Sequence, residues 1–153
     1  MSKTNQWLTL VANLGVIAGL VFLGFEIRQN TNIAKASAYR ENVQDIAAWR
    51  ELFIADPEVA RLYGIYSDEG IEALDGTERT RVSGLINNVM GVYENAYFAR
   101  RYEIIGDEEW LRFQSGACIH YQMAVANKLS LRFTTPGYRR YLNETCKSKP
   151  PIS

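Results

Sequence analysis

The chain has 153 residues, with 17 Lys and Arg against 17 Asp and Glu, 47% hydrophobic residues and 12% aromatic ones. Zero formal net charge speaks against a nucleic-acid-binding protein, which needs a positive excess to displace counterions from phosphates. The apolar content speaks against disorder, and a cysteine count of two against a disulfide-dense secreted scaffold.

The first element runs from Trp7 to Phe25, WLTLVANLGVIAGLVFLGF, without a charge. As a helix it is about 28 Å long, close to the ~30 Å of a bilayer's hydrocarbon core. Trp7 suits the interface at one end, while Glu26 and Arg28 close the other. Residues 1–28 are therefore expected to be a single-pass anchor. A cleaved signal is disfavoured: the nearest small-x-small site, Ala36-Ser37-Ala38, lies well beyond the apolar run, with Glu26, Arg28 and Lys35 between. The flanks offer Lys3 on one side and Arg28, Lys35 and Arg40 on the other, a balance that leans toward a cytoplasmic C-terminal domain.

Residues 29–146 read as a helical domain and 147–153 as a polar tail. No Gly or Pro falls between Gly24 and Asp56, so the anchor helix is free to continue, with Asn30-Thr31-Asn32 the expected kink. Ala36, Tyr39, Val43, Ile46, Ala47, Trp49 and Phe53 then mark one helical face. Asp56-Pro57-Glu58 restarts a helix, since Asp accepts from free N–H groups and Pro fits the first turn. It is expected to end near Tyr66, before a loop with a short turn at 71–74. Thr77-Glu78 opens the strongest helix, expected to reach Ile105 with Gly106 as terminator. Its apolar arc, Val82, Leu85, Ile86, Val89, Val92, Tyr93, Ala96 and Tyr97, is wide enough for a central helix. Asp107-Glu108-Glu109 begins another helix, and Thr135-Pro136-Gly137 a last one, Tyr138 to about Thr145. No run alternates with period two for long, so the fold class is all-α: an N-terminal transmembrane helix followed by a small helical bundle.

The chemistry is sparse. His120, the single histidine, follows Cys118 by two positions, which on a helix turns the side chains about 200° apart and denies them a shared metal. It reads as a packed or surface residue. No zinc-type spacing, Glu-x-x-His pair or phosphate-binding glycine loop occurs, so no catalytic, metal or cofactor residues are assigned and the chain is expected not to be an enzyme. Glu94, at the edge of the arc with Tyr97 and Phe98 beside it and Arg101 seven residues on, allows two readings. One is a polar pocket gripping a ligand or partner; the favoured one is a helix-crossing network with Arg112 or Tyr121. Gly15-x-x-x-Gly19 inside the span, with Asn13 a turn earlier, would permit close helix packing in a homodimer or with a larger membrane partner. Gly84, Asn88, Gly91, Asn95 and Tyr102 form a second stripe opposite the arc, where the two glycines would let a second backbone approach closely, the alternative being a solvated polar face.

The runs GVIAGLVFLGFEIRQNT, YENAYFARRYEIIGDEEW and TPGYRRYLNE resemble a group of small uncharacterised bacterial proteins that join one N-terminal transmembrane helix to a helical domain. The resemblance implies a bacterial inner-membrane location and a helical fold, and brings no site residues with it.

Charge is unevenly distributed. Ten acids face Arg50 and Arg61 between Glu41 and Glu78, whereas from Arg112 onward seven bases face Glu144 alone. The two segments are expected to complement each other in the fold, the second option being contact of the basic end with anionic lipid. The expected role is an accessory or protein-interaction subunit at the bilayer, the alternative a tethered small-ligand sensor built around Tyr93, Glu94 and Tyr97.

Overall fold

A computed structural model describes the backbone of residues 3–146 and the side chains from Trp7 onward. The tail expected at 147–153, and with it Lys147 and Lys149, lies outside the described residues. The fold is all-α, with no strand among the described residues: α1 (Lys3–Ala55), α2 (Pro57–Asp68), a 3₁₀ turn (Ile71–Ala73), α3 (Gly76–Arg101), α4 (Asp107–Ala126) and α5 (Pro136–Cys146).

The chain divides into two units, Met1–Ser37 and Ala38–Ser153. The first is helix throughout its described part. Every large apolar side chain from Trp7 to Ile27 is at least 50% exposed. The helix runs on past Gly24 to Ala55 without interruption, as the lack of Gly and Pro allowed. It continues through Asn30-Thr31-Asn32, and the Thr31 hydroxyl donates to the Ile27 carbonyl at 2.8 Å, which gives this weak helix former a partner within the turn. Residues 29–37 are helical and exposed, so the packed domain begins later than the sequence suggests.

In the second unit α3 is the central helix. Val82, Ile86, Val89, Met90, Tyr93 and Ala96 are buried along it. It packs chiefly on α4, whose Trp110, Phe113, Ala117 and Ala124 are buried in turn. α5 adds Tyr138 and Leu142, and α2 adds Leu62 and Tyr66. The last turns of α1 contribute Ile46 and Trp49, the Trp49 indole donating to the Leu85 carbonyl at 3.2 Å.

Local chemistry sets the helix ends. Asp56 caps α2 through the Glu58 N–H, as expected. Asp75 and Glu78 make a reciprocal capping box at the start of α3. Gly106, expected to stop α3, instead precedes α4 in an extended conformation. α3 has already ended at Arg101, because Glu103 turns into the left-handed region at φ 57° and lets the Ile104 N–H return to the Ala99 carbonyl. Lys128, at φ 52°, closes α4 in the same way, the Leu129 N–H reaching the Ala124 carbonyl.

No ion pair among the described residues makes the expected neutralisation of the acidic middle by the basic end from Arg112 onward. Among the described residues the ion pairs join Arg61 to Glu58 and Glu78, Arg79 to Glu72, Arg81 to Asp56, and Arg100 to Asp107. The acids find arginines on α2 and α3 that lie closer along the fold. Arg139 donates instead to the Leu131 carbonyl, and Arg112 to the Tyr39 hydroxyl.

Candidate functional site

Within the first unit, Gly15 and Gly19 lie on the apolar helix with open space around them: a Cβ on either would meet nothing within 4 Å. Among the described residues one helix, near the N-terminus, is long and apolar enough to cross a membrane.

The second unit carries the other small-residue stripe. Gly84, Asn88 and Asn95 are exposed, Gly91 is half-buried, and neither glycine has a neighbour within 4 Å of an added Cβ. Beside Gly84 a groove of about 320 Å³ opens between the end of α1, α2 and α3. Leu52, Val59, Leu62, Val82 and Leu85 form its apolar lining, with Arg81 and Asn88 also present. Arg81 is held by Asp56 at 3.2 Å. The groove is shallow and open, fit for an apolar side chain or a helix edge rather than for enclosing a substrate.

The polar residues singled out on α3 do not come together. Glu94 is buried, and its Oε1 accepts from the Thr135 N–H at 2.8 Å and from the Thr135 hydroxyl. A carboxylate from α3 thus anchors Thr135, whose hydroxyl oxygen accepts from the Tyr138 N–H in the first turn of α5, a helix-crossing network with an unexpected partner. Arg101 is exposed. Tyr97 is half-buried among the rings of Trp110, Tyr138 and Tyr141, the last at 4.7 Å between centroids. A Glu94–Arg101 ligand grip is replaced by packing.

His120 sits in an aromatic cluster of Trp49, Tyr63 and Tyr93. Its Nδ1 lies 2.8 Å from the Gly116 carbonyl, which only accepts, so Nδ1 carries the proton. Nε2, 3.2 Å from the Tyr63 hydroxyl, is then the acceptor. Burial pushes the His120 pKa below its usual 6.5, and burial pushes the Tyr93 hydroxyl up to about 12. The imidazole is neutral, bonded on both nitrogens and buried. Gly116 has to be glycine here because the Tyr93 hydroxyl occupies the space a Cβ would need.

Sequence reasoning missed two partners, Thr135 for Glu94 and Tyr63 for His120, each remote along the chain. It also missed the bond between Cys118 and Cys146. A count of two cysteines was compatible with it, but nothing in their spacing announces that α4 and α5 align there. Among the described residues no group of three or more His, Cys, Asp or Glu is placed to hold a metal.

No protein-family model matches the chain, and no curated protein or solved structure is detectably similar to it.

Proposed function

We propose that the chain is a single-pass protein of the bacterial inner membrane whose helical domain serves as a protein-interaction or accessory subunit. The observation that carries this reading is the exposed apolar surface from Trp7 to Ile27. So continuous an apolar surface is not stable against water and calls for lipid or a partner helix as cover. Gly15 and Gly19 would seat a homodimer or a larger membrane-protein partner, and the resemblance of the chain's motifs to small anchored bacterial proteins supports the location. The groove beside Gly84 supports a second contact, made by the domain itself. A non-enzymatic role accords with a set of polar residues that serve caps and packing.

A small-ligand role moves away from Tyr93, Glu94 and Tyr97, whose side chains are occupied by their neighbours. The groove lined by Leu52, Val59 and Leu85 is the better place for it.

Membrane fractions of cells making the full chain provide the first test. The protein should stay in the pellet after an alkaline carbonate wash and leave it only with detergent; release by carbonate alone removes the anchor. Gly84→Leu provides the second. Nothing lies within 4 Å of the new Cβ, and leucine is the better helix former by up to about 1 kcal/mol, so thermal stability should hold or rise. Partners recovered in mild detergent should fall away if the groove is their seat. Undiminished recovery excludes the groove.

A further inference from the structure

The chain's two cysteines are joined. Cys118 lies on α4, Cys146 is the last residue of α5, and their Cα atoms are 5.2 Å apart across 28 residues of sequence. Both are buried, and no free cysteine exists among the described residues. Burial takes the bond out of reach of the exposed thiolates that redox enzymes use for exchange, so it is built as a permanent cross-link.

The cross-link has a task. α5 has 11 residues, too few for a helix to be stable alone. One end is fixed by the Glu94 carboxylate at Thr135. The other is fixed by the disulfide, reinforced by the Gln122 side chain, which donates to the Cys146 carbonyl at 2.7 Å. Between them Tyr138 and Leu142 are fully buried. Forming the bond removes two protons and two electrons from the thiols. A disulfide of a thiol oxidoreductase accepts them by exchange and leaves as a dithiol. Such carriers keep thiols oxidised outside the bacterial cytoplasm, whereas the cytosolic thiol pool keeps them reduced.

We infer that the helical domain lies on the oxidising, extracytoplasmic side of the membrane, with the chain before Trp7 on the cytoplasmic side. Resting on the reading of residues 7–25 as a span, this reverses the orientation expected from the flanking charges. Those charges differ by only two side chains, a weak bias, whereas a buried disulfide needs an oxidising compartment to form and persist. A soluble partner for the groove beside Gly84 would then be extracytoplasmic as well.

The experiment uses the full chain in a bacterial host with normal periplasmic thiol oxidation. Cells are quenched in acid, and the denatured protein is alkylated with maleimide-polyethylene glycol with and without prior reduction. The expected result is no adduct before reduction and two after it, with a C-terminal alkaline phosphatase fusion active. Two adducts without reduction, or an inactive fusion, overturns the inference. A carbonate wash on the same membranes reads the span separately. Release by carbonate with oxidised thiols would refute the anchor and leave the compartment established.

Discussion

At the scale of single residues the interior combines satisfied polar groups with three buried atoms of a different kind, the Asn87 Oδ1 and two tyrosine hydroxyls. The hydroxyls of Tyr66 and Tyr138 are buried without a hydrogen-bond partner among the described residues. Burial pushes both pKa values up, that of Tyr66 to about 12, and the nearby Glu94 carboxylate raises Tyr138 further. Removing a buried unpaired hydroxyl while keeping the ring relieves a desolvation cost of about 1–3 kcal/mol. Tyr138→Phe is therefore expected to leave stability unchanged or raise it by about 1 kcal/mol in urea unfolding of the detergent-solubilised protein. A loss larger than that would show the hydroxyl to be paired.

His120 gives the residue-scale pH dependence. Its folded pKa lies below 6.5, so between that depressed value and 6.5 the unfolded chain binds more protons than the folded one. Stability is fully present above 6.5 and lost as the pH falls through this window, by at most about 1.4 kcal/mol per pH unit. Protonating Nε2 would also set it against the Tyr63 hydroxyl that donates to it. Thermal midpoints measured from pH 7.5 down to 5 should fall, and His120→Gln should flatten the slope whatever its effect at neutral pH. An unchanged slope would assign the acid sensitivity to another group.

At the scale of elements, helix ends decide the boundaries. The cap of α2 was readable because Asp56-Pro57-Glu58 acts within one turn of the chain, whereas the capping box of α3 rests on Asp75, which lies just before the Thr77-Glu78 start that the sequence suggested. The end of α3 was not readable, because the left-handed residue there is Glu103, a type that seldom adopts this conformation, while the nearby glycine at 106 has another task. A Cβ at positive φ costs about 1 kcal/mol relative to glycine. Glu103→Gly is thus expected to stabilise the domain by about 0.5–1 kcal/mol, less the greater freedom glycine gives the unfolded chain. A clear loss of stability would mean that the exposed Glu103 side chain makes a contact that matters.

At the scale of the whole molecule, one cross-link and one exposed helix dominate. In the loop-entropy description a disulfide closing 28 residues stabilises the fold by about 3.5 kcal/mol. Cys118→Ser with Cys146→Ser is expected to lower the unfolding free energy by about 2–4 kcal/mol, with α5 losing amide-exchange protection before α3 and α4. Loss of protection in all three helices together would make α5 part of a single cooperative unit rather than a stapled addition. The charge segregation carries less weight at this scale. The pairs that form among the described residues are solvent-exposed and screened, and they lie within the segment from Asp56 to Asp107 rather than across the molecule.

The sequence by itself determined whatever depends on near neighbours along the chain. An uncharged apolar run long enough to span a bilayer, the helical periodicity of α3 and α4, and the cap of α2 all arise within a few turns. It also limited His120, since helical geometry alone turns that ring away from Cys118. Tertiary structure decided the partners. Glu94 meets Thr135 across 41 residues, Tyr63 meets His120 across 57, and Cys118 meets Cys146 across 28. Periodicity names the face of a helix that turns inward, not the residue that will be waiting there. Those meetings depend on the angle and register at which helices cross, which the packing of side chains such as Trp110, Tyr138 and Leu142 fixes only once the core has formed.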